Sequence, residues 1–305
     1  MLIPMLATLV LGAPDLLRDA PSRYAVLEGR RVHYKSVGEG PLALIFVHGW
    51  SCSLEVWRLQ AADFAPRLRA LYVDLPGHGD SDPPAGACSQ DRFARAVDAV
   101  LRDAGVSAAV IVGHSNGVIT ARHFYRLFPR ETLGLVLVDG NLRPFIDPGA
   151  YPAVAARYDT PGYKRRIAGV VDGMASDPAL RTELREIMTR TPRAVVVGSL
   201  LELRDPRVWT PDPIGVPVLA LHARAAQWSA DYEAFVRRVA PQVDYRVWDG
   251  VGHFLMRERP AEFAAAVLGF LERHGWLGPA GLRKDRPGAP AGAGPVPPSA
   301  RRPDR

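Results

Sequence analysis

The sequence predicts an α/β protein: a doubly wound, mostly parallel sheet with helices on both faces and an inserted helical lid. Three observations carry this. Short apolar, β-branched runs recur at 42–47, 70–74, 108–113, 133–139, 216–221 and 243–248. Helical patterns separate most of them, around Leu54–Leu68, Asp91–Ala104, Asn116–Phe128 and Pro260–Leu271. Such alternation favours parallel strands joined by crossover helices. One junction is especially sharp: Val110-Ile111-Val112 passes through Gly113-His114-Ser115-Asn116-Gly117 straight into a helical pattern.

In chain order, Met1 to Leu11 are almost wholly apolar. An export signal needs a basic n-region and a small-residue cleavage site. Here no Lys or Arg precedes the run, Pro4 interrupts it and Pro14 follows. The expectation is an N-terminal segment, 1–22, packed on the domain of a cytoplasmic protein, with export as the alternative. The run is too short to span a membrane, which takes about 20 residues. Next, Tyr24-Ala25-Val26-Leu27 and Val32-His33-Tyr34 flank Glu28-Gly29, a hairpin pattern for a sheet edge. The continuous apolar run Leu42–Val47 reads as a strand buried on both faces, and it ends in His48-Gly49-Trp50.

The core is expected over 23–141 and 214–276. Between its sixth and seventh strands lies a long insertion, 142–213. Thr160-Pro161, Asp177-Pro178 and Thr191-Pro192 each set a capping side chain before a proline at the first helical position. They predict about three helices, forming a lid over the strand ends. Residues 277–305 are rich in Pro, Gly and Ala, without aromatics or periodicity, and read as a disordered tail.

At 305 residues and 48% apolar, the chain can fill one large domain plus a lid. The net charge is +6, and the tail from Leu277 holds six basic residues against two acidic ones. The rest is close to balance, so no basic patch asks for nucleic acid. Cys52 and Cys88 give neither a disulfide framework nor a metal set. Cys52, just past His48-Gly49-Trp50, reads as a small apolar filler. No cluster has zinc-site spacing and no glycine-rich loop resembles a phosphate cradle. No cofactor or metal is expected; the expected partner is a small-molecule acyl substrate.

The chemistry centres on Ser115. At a sharp strand-to-helix turn, Cβ atoms two residues either side of it would collide with their neighbours, and Gly113 and Gly117 remove them. A serine hydroxyl is a poor nucleophile at neutral pH and needs an imidazole to take and return its proton. Of eight histidines, His253 lies in the glycine-rich loop Asp249-Gly250-Val251-Gly252-His253-Phe254 after the last strand. The backbone N–H groups of Trp50 and Asn116 are expected to form a two-donor oxyanion hole.

These motifs resemble those of the α/β-hydrolase fold family, in its serine-nucleophile, esterase and lipase-like branch. The resemblance covers residues 23 to 275, in the right order, and includes Asp74-Leu75-Pro76-Gly77-His78-Gly79-Asp80-Ser81-Asp82. It implies a hydrolase and no particular substrate. The family usually carries the triad's acid after its seventh strand. Here Val216–Leu221 runs on into His222-Ala223-Arg224-Ala225-Ala226-Gln227-Trp228, with no carboxylate, and the next is Asp231 before a helix near Tyr232. Some relatives, such as certain haloalkane dehalogenases, carry the acid one strand earlier, where this chain has Asp139. Asp139 is the expected acid, with Asp231 as the alternative. Haloalkane and epoxide hydrolases of this fold place Asp at the elbow, which Ser115 disfavours. The expected activity is cleavage of a small or medium carboxylic ester through an acyl-enzyme. The alternatives are a C–C hydrolase, lyase, perhydrolase or acyltransferase of the same fold, and a non-catalytic ligand-binding receptor.

Overall fold

Strands that are apolar on both faces need cover on both sides, and this chain supplies it. The computed structural model describes residues 15–40 and 42–277. The apolar run at the N-terminus and all but the first residue of the expected tail lie outside the described residues. The strands are β1 (Arg23–Leu27), β2 (Arg30–Val37), β3 (Leu42–Val47), β4 (Arg69–Val73), β5 (Ala108–His114), β6 (Thr132–Val138), β7 (Val218–Ala223) and β8 (Val243–Trp248). They form one sheet in the order β1-β2-β4-β3-β5-β6-β7-β8. The β1–β2 hairpin and the β2–β4 pair are antiparallel; all other pairs are parallel.

Side chains alternate across the sheet. Ile45, Val47, Ile111, Leu135 and Leu137 share a core with the helices Gln90–Asp103, Asn116–Leu127 and Ala230–Val239. Leu44, Phe46, Val110, Val112, Val136 and Val138 share another with the segment Leu54–Phe64 and the helix Pro260–Arg273.

Two elements differ from expectation. Over 54–68 the chain forms a 3₁₀ segment, Leu54–Gln60, and only a short α-helix, Ala61–Phe64. Pro66 lacks the N–H that would continue it. The helix expected near Tyr232 starts earlier, at Ala230, because the Ser229 hydroxyl caps it by accepting the Tyr232 N–H at 3.3 Å.

The connection from β6 to β7 carries four α-helices rather than three: Tyr151–Ala156, Tyr163–Val171, Pro178–Met188 and Arg193–Glu202. Asp177 caps as expected, accepting the Ala179 N–H at 2.9 Å. Thr160 does not cap; Gly162 stands at that helix start without a side-chain bond. Thr191 does not cap either. Its hydroxyl donates to the Ser51 carbonyl at 2.9 Å, in a buried contact. An aspartate can only accept, whereas a threonine hydroxyl can donate, and here a buried carbonyl claims it.

The far end of this insertion is gripped by the helix Asn116–Leu127. Arg122 is 2% exposed and its Nη2 donates to the carbonyls of Thr210 at 2.9 Å and Asp212 at 2.5 Å. One turn on, Arg126 Nε pairs with the Asp212 carboxylate at 2.6 Å. Among the described residues no helix is long and apolar enough to cross a membrane.

Candidate active site

Parallel strands end together, so the turns after β3, β5 and β6 meet at one edge of the sheet. Ser115 stands between β5 and its helix with φ +55°, left-handed backbone that a serine adopts only under constraint. The constraint is close packing. A Cβ on Gly113 would stand 2.3 Å from the Gly117 carbonyl oxygen, and one on Gly117 would stand 2.5 Å from that of Val47. Gly49 serves the same bend, since its Cβ would meet Ser115 Cβ at 2.9 Å. The Ser115 N–H donates to the Val138 carbonyl at 2.9 Å, tying the elbow to the end of β6.

Asp139 follows directly, with φ +43° and 3% exposure. Its Oδ1 accepts the Ala223 N–H at 2.8 Å, and its Oδ2 meets His253 Nδ1 at 2.6 Å. With the carboxylate facing Nδ1–H, a neutral His253 turns its lone pair outward on Nε2. The imidazole is about a quarter exposed, at 23%. The structure does not bring Asp231 there. Asp231 lies in the first turn of Ala230–Val239, 80% exposed, and pairs with Arg143.

His253 is bracketed from the other side by His114, the residue before Ser115. The two rings lie 4.6 Å apart, and His114 Nε2 donates to the His253 carbonyl at 2.9 Å. Burial, then the neighbouring His253, pushes His114 well below the ordinary histidine value, so it stays a neutral donor. The His253 N–H donates to the Met174 carbonyl at 2.8 Å. His253 and Ser115 therefore share one end of the sheet. The Ser115 hydroxyl itself makes no hydrogen bond among the described residues. In serine hydrolases that bond often tightens only with substrate.

The turn after β3 completes the neighbourhood. His48 is fully buried; its Nδ1 donates to the Gly49 carbonyl at 2.8 Å and its Nε2 accepts the Leu75 N–H at 3.0 Å. Burial pushes its pKa down, which keeps that acceptor unprotonated. Among the described residues the N–H groups of Trp50 and Asn116 have no acceptor. The Asn116 side chain faces away into a polar chain, its Oδ1 accepting from Gln90 Nε2 at 3.3 Å. Cys52 is 2% exposed in the apolar core, and burial pushes its thiol up to about 12, so it is an inert filler.

The insertion touches this turn three times. Trp50 Nε1 donates to the Val196 carbonyl at 3.0 Å, the Trp50 ring meets Tyr158 edge-on at 5.0 Å, and Thr191 holds Ser51. Ser51 itself has φ +57° and is fully buried. Sequence reasoning missed His114 and Thr191. An imidazole beside the elbow serine, at the end of a buried strand, was the available signal for the first.

A model described as the alpha/beta hydrolase family matches residues 44–266. A stretch of 119 residues is 31% identical to the dihydrolipoyllysine-residue acetyltransferase component of the acetoin cleaving system of Cupriavidus necator, covering 39% of this chain and 32% of that protein. The match thus spans about a third of that relative's length. The protein of the same description in Pseudomonas putida is 25% identical over 272 residues, covering 86% of this chain and 72% of its own. Among solved structures, a thermophilic esterase from Thermogutta terrifontis shares the fold, with a TM-score of 0.72 at 22% identity, over 83% of this chain and 99% of that one.

Proposed function

Because the chain belongs to the alpha/beta hydrolase family, we propose that it is a serine hydrolase that cleaves a small or medium carboxylic ester through an acyl-enzyme. Ser115 attacks the acyl carbon while His253 Nε2 takes its proton. Asp139 holds the His253 tautomer and stabilises the imidazolium. The N–H groups of Trp50 and Asn116 receive the charge that develops on the carbonyl oxygen. His253 returns the proton to the leaving alcohol, and water then releases the acid by the same steps in reverse order. Residues 142–213 act as a lid whose contacts with Trp50 and Ser51 hold one oxyanion donor in place.

The observation that carries this reading is the 2.6 Å contact of His253 Nδ1 with Asp139, beside a serine on left-handed backbone. The test is hydrolysis of p-nitrophenyl esters of graded acyl length. Ser115→Ala is expected to abolish turnover and leave the circular dichroism spectrum and melting temperature unchanged; undiminished turnover overturns the reading. A second reading, acyl transfer, draws on the acetyltransferase description of the Pseudomonas putida relative. The same acyl-enzyme would serve it. Transacylated product formed on adding a thiol acceptor would favour transfer over hydrolysis.

A further inference from the structure

A second Ser–His–Asp array lies at the edge of the sheet, away from Ser115. Ser22 precedes β1, His33 lies in β2 and Asp74 follows β4. His33 Nδ1 meets Asp74 Oδ2 at 2.7 Å, and His33 Nε2 meets Ser22 Oγ at 2.9 Å. Strand β2 stands three strand spacings from β5, roughly 14 Å.

The array is held from every side. Asp74 also accepts the N–H groups of Leu54 at 2.7 Å and Asp80 at 3.0 Å. Burial alone would raise the pKa of Asp74; the hydrogen bond from His33 and these N–H groups act against it, and the carboxyl is held below its ordinary range. The His33 N–H donates to Ser81 Oγ at 2.8 Å, and Ser81 Oγ donates to the Asp74 carbonyl at 2.6 Å. The Asp74 N–H donates to the His33 carbonyl at 3.0 Å, and Tyr24 packs on the imidazole at 5.2 Å. An ionised carboxylate facing Nδ1 fixes the hydrogen there, so in a neutral imidazole Nε2 carries the lone pair. The Ser22 hydroxyl is then the donor, which is the ground-state geometry of a base-activated nucleophile. His33 and Asp74 are each 2% exposed, while Ser22 is open to solvent.

We propose that Ser22 is a second covalent acceptor on this protein, taking an acyl or phosphonyl group from small activated donors. With p-nitrophenyl acetate, Ser22 Oγ forms a bond to the acyl carbon as the bond to p-nitrophenolate breaks, and the phenolate leaves with the electron pair. The hydroxyl proton passes to His33 Nε2 and stays there, the imidazolium being paired with Asp74. With a fluorophosphonate, an O–P bond forms, the P–F bond breaks and fluoride leaves. The adduct stays. Ser22 is not on left-handed backbone, and the imidazole beneath it is too enclosed to admit and activate a water. Ser22 is thus a site of modification rather than of turnover.

The test uses full-length Ser115→Ala protein, so it does not depend on the role proposed for Ser115. The protein is incubated with a fluorophosphonate or p-nitrophenyl acetate, and adducts are mapped by peptide mass spectrometry. Ser176, an exposed serine whose hydroxyl donates to Glu258 at 3.1 Å with no imidazole partner, is the internal reference. Ser22 is expected to label at least about tenfold faster than Ser176, since general-base assistance gives about 10²–10⁴. His33→Gln should remove the excess, and 8 M urea, roughly enough to unfold an ordinary domain, should equalise the two serines even if that variant fails to fold. Equal labelling of Ser22 and Ser176 in the folded protein overturns the proposal, as does an excess that survives in urea.

Discussion

Two Ser–His–Asp arrays share one sheet and differ in what surrounds them. At the edge, Ser22, His33 and Asp74 form a closed hydrogen-bonded chain whose histidine is 2% exposed. At the strand ends, His253 is 23% exposed on Asp139, and the Ser115 hydroxyl is unbonded among the described residues. A closed chain satisfies the ground state. Catalysis needs groups that do more for the transition state than for the ground state. In the proposed mechanism the elbow would supply these: a serine raised on left-handed backbone, two N–H groups without acceptors, and an imidazole with a lone pair to offer. The lesson is that a triad is recognised by what lies beyond its three side chains.

The sharpest way to break this contrast is to neutralise each carboxylate in turn. Asp139→Asn is expected to lower kcat by about 10⁴-fold, since it spoils the imidazole tautomer. Asp231→Asn should change kcat less than about twofold, because an exposed ion pair contributes little. Asp74→Asn should act on the fold instead, costing about 1.5–3 kcal/mol in urea denaturation, as expected when a buried carboxylate that accepts several hydrogen bonds is replaced. A 10⁴ loss of kcat in Asp74→Asn, with stability intact, would reverse the assignment.

Acid provides a second way to separate the regions. Burial pushes His48, His78, His114 and His222 below 6.5, with His78 at about 3 and His222 at about 4. Below pH 6.5 their unfolded forms gain protons while the folded forms do not. Stability is therefore full above about pH 6.5 and falls with pH until the folded values are crossed, with a slope of up to about 1.4 kcal/mol per unit for each histidine. Asp74 enters only at the acid end. Its contribution is present above 3.8 and lost as pH falls through the depressed folded value. Urea midpoints at pH 7, 6 and 5 should decline, and His222→Gln should flatten the decline; a flat wild-type series would contradict this.

The smallest expected effect sharpens the role of the insertion. Thr191→Val removes the hydroxyl that holds Ser51 and leaves a buried carbonyl unpaired, a loss of about 1–2 kcal/mol. If the turn after β3 presents an oxyanion donor, kcat should fall about tenfold with KM little changed. Thr191→Ser, which keeps the hydroxyl, should restore most of it. A purely structural contact would lower the melting temperature and leave kcat alone.

Much of this architecture is legible along the chain because its signals are local. The strand runs, the glycines around Ser115 and the hairpin at 24–37 each rest on a few neighbouring residues. The candidate site is legible only in part. That β6 ends in a carboxylate can be read; which carboxylate meets His253, 114 residues away from Asp139, is a matter of packing. Thr191 shows the limit most clearly. Before a proline it has the pattern of a cap, but its hydroxyl serves a carbonyl 140 positions distant. The pairing of His33 with Ser22 and Asp74 is likewise invisible to periodicity, which shows the hairpin and not what its side chains reach.

The guanidinium of Arg122 has a consequence for anyone wishing to graft new specificities onto this scaffold. It is buried in the helix that starts at Ser115, and its acceptors are main-chain carbonyls of Thr210 and Asp212. A transplanted insertion whose last residues follow another path would strand a cation in the interior, at a cost of about 3 kcal/mol or more. The damage would fall on the helix that follows Ser115, so chimaeras should be spliced upstream of Thr210, keeping the native exit intact.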